Sequence, residues 1–400
     1  MNLLHPSATV VDAATGETLT TDLIDAAERE LPTESPVFLA MTTTVQSIAT
    51  YLAALRAGRP VLLLDPEIDQ TALRQRFTTG EVHPDLALLL TTSGSTGDPK
   101  LVRLSRDAVL ANAEQVADSL GITGDDVAIT TLPLFYSYGL SVLHSHLLRG
   151  ATVVLERTGI MQKDFWTAVN EHRVTSMAFV PSQYEMLRRL RFDPARYPSV
   201  RTLTQAGGRL RTELVTEFAA KTDRFFVMYG QTEAAPRMAC LPFDRLTEKL
   251  GSAGVAMPGG TFTIEDGEVV YRGPNVMMGY AETAADLIRG DDQGGVLRTG
   301  DLGRLDEDGF LFITGRLKRI AKVFGVRINL DDVEREFPVA AVAGDDKLHV
   351  FTREADTRAL RTKISEWLGT HFTGVDVRTI EAVPLLPNGK TDYRALEASL

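Results

Sequence analysis

Four hundred residues exceed what one hydrophobic core usually organises, which predicts two domains. Hydrophobic and charged contents of 44% and 24% are those of an ordinary globular chain, and no run nears the roughly 18 apolar residues of a membrane helix. A formal net charge of −11 disfavours nucleic acid and anionic membrane as partners, and a single cysteine, Cys240, excludes an internal disulfide or a cysteine zinc cluster. The N-terminal residues lack the basic region and apolar core of a signal peptide, so the expected location is the cytoplasm.

Short apolar runs at 36–41, 60–65, 86–91, 127–132, 151–156, 176–181 and 224–230 read as strands. The spacing between them predicts helices over 45–57, 105–120, 162–172, 183–191 and 211–221. In the second helix Ser105 caps the start, Val109, Ala113, Val116 and Leu120 share one face, and Gly121 ends it. Such alternation predicts an α/β fold of parallel strands flanked by helices, with ligands bound where loops leave the carboxyl ends of strands. After residue 250 the rhythm changes. Residues 261–273 alternate around Glu265-Asp266-Gly267 and read as a hairpin, and 309–315 as another strand. The predicted domains are 1–315 and 316–400.

Residues 91 to 100, TTSGSTGDPK, follow an apparent strand and precede an apparent helix. Thr92, Ser93, Ser95 and Thr96 bring hydroxyls, Gly94 and Gly97 a close-turning backbone, and Lys100 a cation. This is the chemistry of a phosphate-gripping loop, or of a plain surface turn. A Walker A loop is excluded, because Asp98 and Pro99 separate Gly97 from Lys100. Five further segments stand out: LPLFYSYGLS (132–141), VMYGQTEAAPRM (227–238), LRTGDLGRLDEDG (297–309) with Asp301, GRLKRIAKVFGVRI (315–328), and PLLPNGKTDYRAL (384–396) with Lys390.

In this order the segments resemble the adenylate-forming superfamily of acyl-CoA synthetases, stand-alone adenylation domains, aryl-acid ligases and luciferases. YLAALRAGRPVLLLDP (51–66) adds to a likeness running from about Tyr51 to Arg394. The resemblance implies layered, mostly parallel sheets with a distorted β-barrel-like region, then a small mobile α+β domain. It implies an ATP- and Mg²⁺-dependent enzyme that joins a carboxylic acid to AMP, releases pyrophosphate, and passes the acyl group to coenzyme A or a phosphopantetheine carrier protein. By the same resemblance Thr92, Ser93, Gly94, Ser95, Thr96, Gly97 and Lys100 hold the β- and γ-phosphates. Glu233, with Thr96, would hold Mg²⁺, and Thr232 would donate to the α-phosphate. Tyr229, Gly230, Gln231, Ala206, Gly207 and Gly208 would border adenine, and Asp301 and Arg316 the ribose. Lys390 would bridge the acid carboxylate and the α-phosphate. Lys318 matches the hinge, and Lys322 and Gly325 would face the acceptor tunnel.

The chain departs from the family pattern in places. Leu101 follows the loop lysine where the family usually has glycine, only ninety residues precede residue 91, and the stretch from Pro66 to Asp85 is compressed, which predicts reduced N-terminal elements. Amino-acid-activating members place an aspartate where this chain has Tyr136, Ser137 or Tyr138, so an α-amino acid is disfavoured. Tyr136, Ser137, Tyr138, Val180, Tyr184 and Gln205 would line a pocket for an aryl or short acyl acid. His144 and His146 do not share a helix face, so they read as structural. The acceptor stays open between coenzyme A, a carrier protein and an amine, because the three cations of RLKR (316–319) suit any acidic surface or none. A non-catalytic nucleotide-binding scaffold and a plain ATPase are the other readings. The sequence gives no oligomeric state.

Overall fold

All seven predicted apolar runs form strands, and all five predicted helices form. The structure is a computed structural model that describes residues 3–91, 100–317, 319–324, 326–344, 346–386 and 389–400. Its strands include Val37–Ala40, Val61–Leu64, Leu86–Thr91 and Arg224–Gly230; its helices include Val45–Arg56 and Arg106–Leu120. Ser105 Oγ accepts from the Ala108 N–H at 3.1 Å, and Gly121 ends the helix with φ +62°, as the sequence signals require.

Backbone proximity divides the chain into two units: Met1–Thr261 with Tyr271–Leu297, and Phe262–Val270 with Arg298–Leu400. In the first, the larger sheet runs in the order Thr9–Asp12, Thr152–Leu155, Val127–Ile129, Ser176–Phe179, Thr202–Gln205, Arg224–Gly230, Arg237–Leu241, Val255–Ala256. The first six are parallel and the last two pairings antiparallel. Val116, Ala117 and Leu120 of the capped helix pack on Ala178, Phe226 and Met228 of this sheet. Burying such a side chain contributes about 1.5–3 kcal/mol.

The second sheet of this unit corrects one expectation. Leu86–Thr91 is followed, across residues 92–99, by the strand Leu101–Ser105 and not directly by a helix. The two strands pair antiparallel, Thr91 opposite Leu101, beside the parallel Val61–Leu64 and Val37–Ala40. Leu101, Val102, Arg103 and Leu104 are all fully buried, and Gly279–Ala281 pairs on their far side. TTSGSTGDPK therefore joins two strands of one sheet.

In the second unit, Asp266 and Gly267 both take positive φ between the strands Thr261–Glu265 and Glu268–Arg272, the turn that suits a two-residue hairpin. Those strands belong to a four-stranded sheet with Val296–Leu305 and Leu311–Arg316, so residue 316 falls inside this unit. A hairpin of Ile320–Val323 and Val326–Asn329 follows, then a sheet of Ala340–Gly344, Lys347–Thr352 and Val375–Thr379. Val323, Ile328, Val333, Leu348, Val350 and Ile364 form its core with the helices Leu330–Glu336 and Thr357–Leu368.

Candidate active site

The YGQTE segment lies at the carboxyl end of a central parallel strand, and glycine sets its path. The register between Arg224–Gly230 and Arg237–Leu241 shifts at Tyr229/Gly230, where a Cβ on Gly230 would stand 1.9 Å from the Pro236 carbonyl oxygen. Only a residue without a side chain allows that approach. The chain then turns through a single 3₁₀ turn, Thr232–Ala234. Thr232 Oγ1 lies 3.2 Å from Ser137 Oγ, the first residue of the helix Ser137–Leu148. Two hydroxyls thus sit at a helix N-terminus, where free N–H groups and the helix dipole favour an anion.

Glu233 is held from the neighbouring sheet. Tyr280 Oη donates to Glu233 Oε1 at 2.8 Å. Lys100 Nζ lies 2.5 Å from Glu282 Oε1 and 6.0 Å from the centre of the Tyr280 ring. Burial raises the Tyr280 pKa, and the Glu233 charge raises it further, so the phenol stays a donor. These groups meet because Leu101–Ser105 pairs with Gly279–Ala281. The joint is clamped by the buried Arg103, which donates to Asp292 at 2.6 Å and to the carbonyls of Met278, Tyr280, Arg289 and Gly290.

Ala206, Gly207 and Gly208 follow the strand Thr202–Gln205, parallel to the strand that ends in Tyr229 and Gly230. A Cβ on Gly207 would stand 3.0 Å from Tyr136 Oη and 3.1 Å from Val180 Cγ1, so Tyr136, Val180 and the Tyr138 ring converge there. Tyr138 Oη lies 3.0 Å from Thr204 Oγ1. Two other residues expected at the acid pocket have partners within the protein. Tyr184 is wholly buried among Phe179, Phe218 and Phe225 and donates to the Thr204 carbonyl; Gln205 turns its amide onto the Gly208 carbonyl at 2.6 Å.

His144 stacks on Tyr51 and bonds its hydroxyl at 2.8 Å, and His146 Nε2 lies 3.2 Å from Ser176 Oγ. Burial lowers their pKa values to about 3 and about 4, so both are neutral structural residues. The Cys240 thiol is buried and pushed up to about 12, which leaves it inert.

In the second unit Asp301 is buried and accepts from Arg316 Nε at 2.9 Å, the two facing each other across paired strands. Lys390 closes a turn in which the Leu386 N–H donates to its carbonyl, and Asp392 then caps the helix Tyr393–Ala398. Lys322 is exposed on its hairpin. Lys318, Gly325 and residues Thr92 to Gly97 lie outside the described residues.

Among the described residues no three His, Cys, Asp or Glu side chains cluster as a metal site. Glu233 nevertheless fits Mg²⁺, which takes one or two carboxylates and completes its shell with substrate phosphates and water.

The profile of the AMP-binding enzyme family matches residues 75–281, more than half of the chain. The chain belongs to that family. It is 32% identical over 311 residues to a feruloyl-CoA synthase of Amycolatopsis sp, an alignment covering 72% of this chain and 61% of that protein. It is 35% identical over 274 residues to the 2-succinylbenzoate–CoA ligase of Bacillus subtilis (strain 168), covering 64% and 55%. The chain thus spans about three fifths of the length of the curated relatives it matches. Among solved structures, the o-succinylbenzoate CoA synthetase of Bacillus subtilis in complex with the acyl-adenylate OSB-AMP superposes with a TM-score of 0.78 at 24% identity, covering 97% of this chain and 94% of that one. ATP-bound MatB from Rhodopseudomonas palustris gives 0.81 at 22%, covering 98% and 96%. These likenesses establish the adenylating-enzyme fold. Among the described residues, no helix is long and apolar enough to cross a membrane.

The family match takes in Lys100, Ser137, Thr232, Glu233 and Tyr280; Asp301, Arg316 and Lys390 lie beyond it. It also takes in Arg237, which the sequence reading passed over although a lone arginine opens the otherwise apolar strand RMACL. Its side chain is buried. Nε donates to Ser141 Oγ at 3.1 Å, Nη1 points at Met228 Sδ, and the guanidinium carbon lies 4.5 Å from the centre of the Tyr138 ring.

Proposed function

We propose that this AMP-binding enzyme is an ATP- and Mg²⁺-dependent ligase that activates a carboxylic acid as its acyl-AMP and transfers the acyl group to the thiol of coenzyme A. The observation that carries the reading is the meeting of Ser137 with Thr232, one residue from Glu233, at a helix N-terminus. A carboxylate oxygen attacks the α-phosphorus; the bond from that phosphorus to the bridging oxygen breaks, and pyrophosphate leaves with the bonding pair. Two anions approach each other, so the site must supply donors where charge accumulates. Thr232, Ser137 and the dipole of Ser137–Leu148 meet that need. Mg²⁺ bound by Glu233 would neutralise phosphate charge. Lys100, released from Glu282, would pair with the β- and γ-phosphates together with residues Thr92 to Gly97. In the second half-reaction the thiol sulfur attacks the acyl carbon and AMP leaves.

The other assignments are proposed from the likeness of their motifs to those of the family. Tyr229 and the backbone of Ala206 to Gly208 would border adenine, Asp301 would accept from ribose hydroxyls beside Arg316, and Lys390 would supply the cation at the α-phosphate. Domains 1–315 and 316–400 would turn about Lys318 between half-reactions, bringing Lys322 and Gly325 toward the thiol. That the relatives are CoA synthases and ligases supports coenzyme A as acceptor; an acyl carrier protein would present the same thiol. No carboxylate stands at Tyr136, Ser137 or Tyr138, which favours an aryl or acyl acid over an α-amino acid. A need for ATP and coenzyme A would suit a cytoplasmic enzyme. Acid-dependent exchange of labelled pyrophosphate into ATP tests the reading. Exchange that needs an added acid supports it; no exchange across aryl, fatty and dicarboxylic acids, with wild type matching Lys390→Ala, refutes it.

A further inference from the structure

Arg237 and Arg103 are both buried, and among the described residues only Arg103 has a counter-ion. Arg103 has Asp292 at 2.6 Å and four carbonyl oxygens. Arg237 has a serine hydroxyl, a thioether and a tyrosine face, and among the described residues no carboxylate pairs with it. Sequestering a cation from water without an anion is unfavourable by several kcal/mol. Among the described residues packed around Arg237, none offsets this by charge. His146 is neutral, and Asp126, on the wall of the adjoining cavity, is already taken by Arg201 at 2.7 Å and Thr175 at 2.9 Å.

Position says what the cation faces. Ser141, which accepts from Arg237, lies four residues beyond Ser137 on the same helix, hence about 6 Å along its axis. Ser137 touches Thr232, where the proposed reaction occurs. The Tyr138 ring that the Arg237 guanidinium lies over also meets Tyr136 and Val180 at Gly207. Beyond Arg237 the cavity edged by Ser145, Ser176 and Thr204 amounts to about 20 Å³, room for a water molecule and not for an acyl chain.

We propose that Arg237 binds a second, distal carboxylate of the acid, so that the substrate is a short dicarboxylic acid with about two to four atoms between its carboxyl carbons. The inference rests on the ligase reading above and narrows its substrate class. One carboxylate is adenylated beside Thr232, and the other remains an anion on the guanidinium, a charge-assisted contact that an uncharged end cannot replace.

Pyrophosphate exchange with succinate, glutarate, adipate and isophthalate, each against its monomethyl ester, tests it on the wild-type protein. The expected result is a preference for the free diacid of roughly 10- to 100-fold in kcat/KM. Arg237→Gln is expected to lose that preference, chiefly through a raised KM for the diacid. Equal use of diacids and esters by the wild type would overturn the inference and leave the ligase reading standing. A diacid preference undiminished in Arg237→Gln would overturn it too. Exchange with none of these acids or esters but with an aryl or fatty monoacid would overturn the inference alone; exchange with no acid of any class would overturn the ligase reading on which it rests. The wild-type pairs decide the matter even where Arg237→Gln does not fold.

Discussion

The phenolic hydroxyl of Tyr280 donates to Glu233 Oε1 at 2.8 Å, across 47 residues of sequence. The contact orients Glu233, the carboxylate proposed to hold Mg²⁺, from a strand that also faces Lys100. Groups that orient a metal ligand typically alter metal affinity by 10- to 100-fold when removed. Tyr280→Phe should therefore raise the Mg²⁺ concentration for half-maximal pyrophosphate exchange by about 10-fold and leave the fold intact. An unchanged Mg²⁺ dependence would remove Tyr280 from this role.

Gly230 allows the strand to leave the sheet and present Thr232 and Glu233. In Gly230→Ala the new methyl would stand 1.9 Å from the Pro236 carbonyl oxygen and 2.8 Å from Arg237 Cα, both main-chain atoms that cannot swing aside. The backbone must move, by an amount that costs about 10²-fold in rate when it displaces catalytic groups by 1 Å. Overpacking of this kind destabilises by about 1–3 kcal/mol. Exchange assays and urea unfolding should register both losses. Wild-type rates in Gly230→Ala would refute the steric account.

Much of the fold is legible in the sequence. Parallel strands with helices on both faces are apolar on both sides, so Leu86–Thr91 and Val61–Leu64 announce themselves as continuous apolar runs. Leu101–Ser105 did not, because Arg103 interrupts it, and the partners that make that charge tolerable lie some 175 to 189 residues away. The same limit applies at the site. Thr232 and Glu233 sit in a recognisable motif, whereas Tyr280 and Arg237 gain their meaning from contacts that only folding creates. Tyr184 and Gln205 illustrate the converse: an aromatic and an amide near a strand end are satisfied by core packing and a backbone carbonyl as readily as by a ligand.

Arg103 is a second stability-determining position. Its guanidinium fork satisfies one carboxylate and four carbonyls; truncation to alanine would leave those carbonyls without their donor and Asp292 with Arg289 alone, at 3.0 Å. Arg103→Ala should lower the unfolding free energy by about 3–5 kcal/mol. Arg103→Lys should recover little, since a point charge cannot reproduce the fork. Urea unfolding of both variants checks this; a lysine variant as stable as wild type would show that charge alone suffices.

On the proposed function, Lys390 would separate the two half-reactions. A cation at the α-phosphate is needed while the carboxylate attacks and has no role when a thiol attacks an acyl-AMP already made. Lys390→Ala should lose acid-dependent pyrophosphate exchange by more than 10²-fold, on the scale of a removed transition-state donor. It should retain thioester formation from supplied acyl-AMP. Equal loss of both activities would contradict the proposed turning of the second domain.

Acid should destabilise the protein through His144 and His146. Burial lowers their folded-state pKa values to about 3 and about 4, against about 6.5 for the unfolded chain. Near pH 7 both states are largely neutral and the stability is nearly complete. As the pH falls below 6.5 the unfolded chain takes up protons that the folded protein refuses, so stability falls until the folded-state pKa values are reached. Between pH 7 and pH 5 each histidine should account for about 2 kcal/mol of lost stability. His144→Gln leaves an amide that can still meet the Tyr51 hydroxyl and removes the titration. Its urea midpoint should therefore shift less between those pH values than that of the wild type, by about half of the histidine contribution. An identical shift in variant and wild type would mean that His144 is protonated as readily in the folded protein as in the unfolded chain.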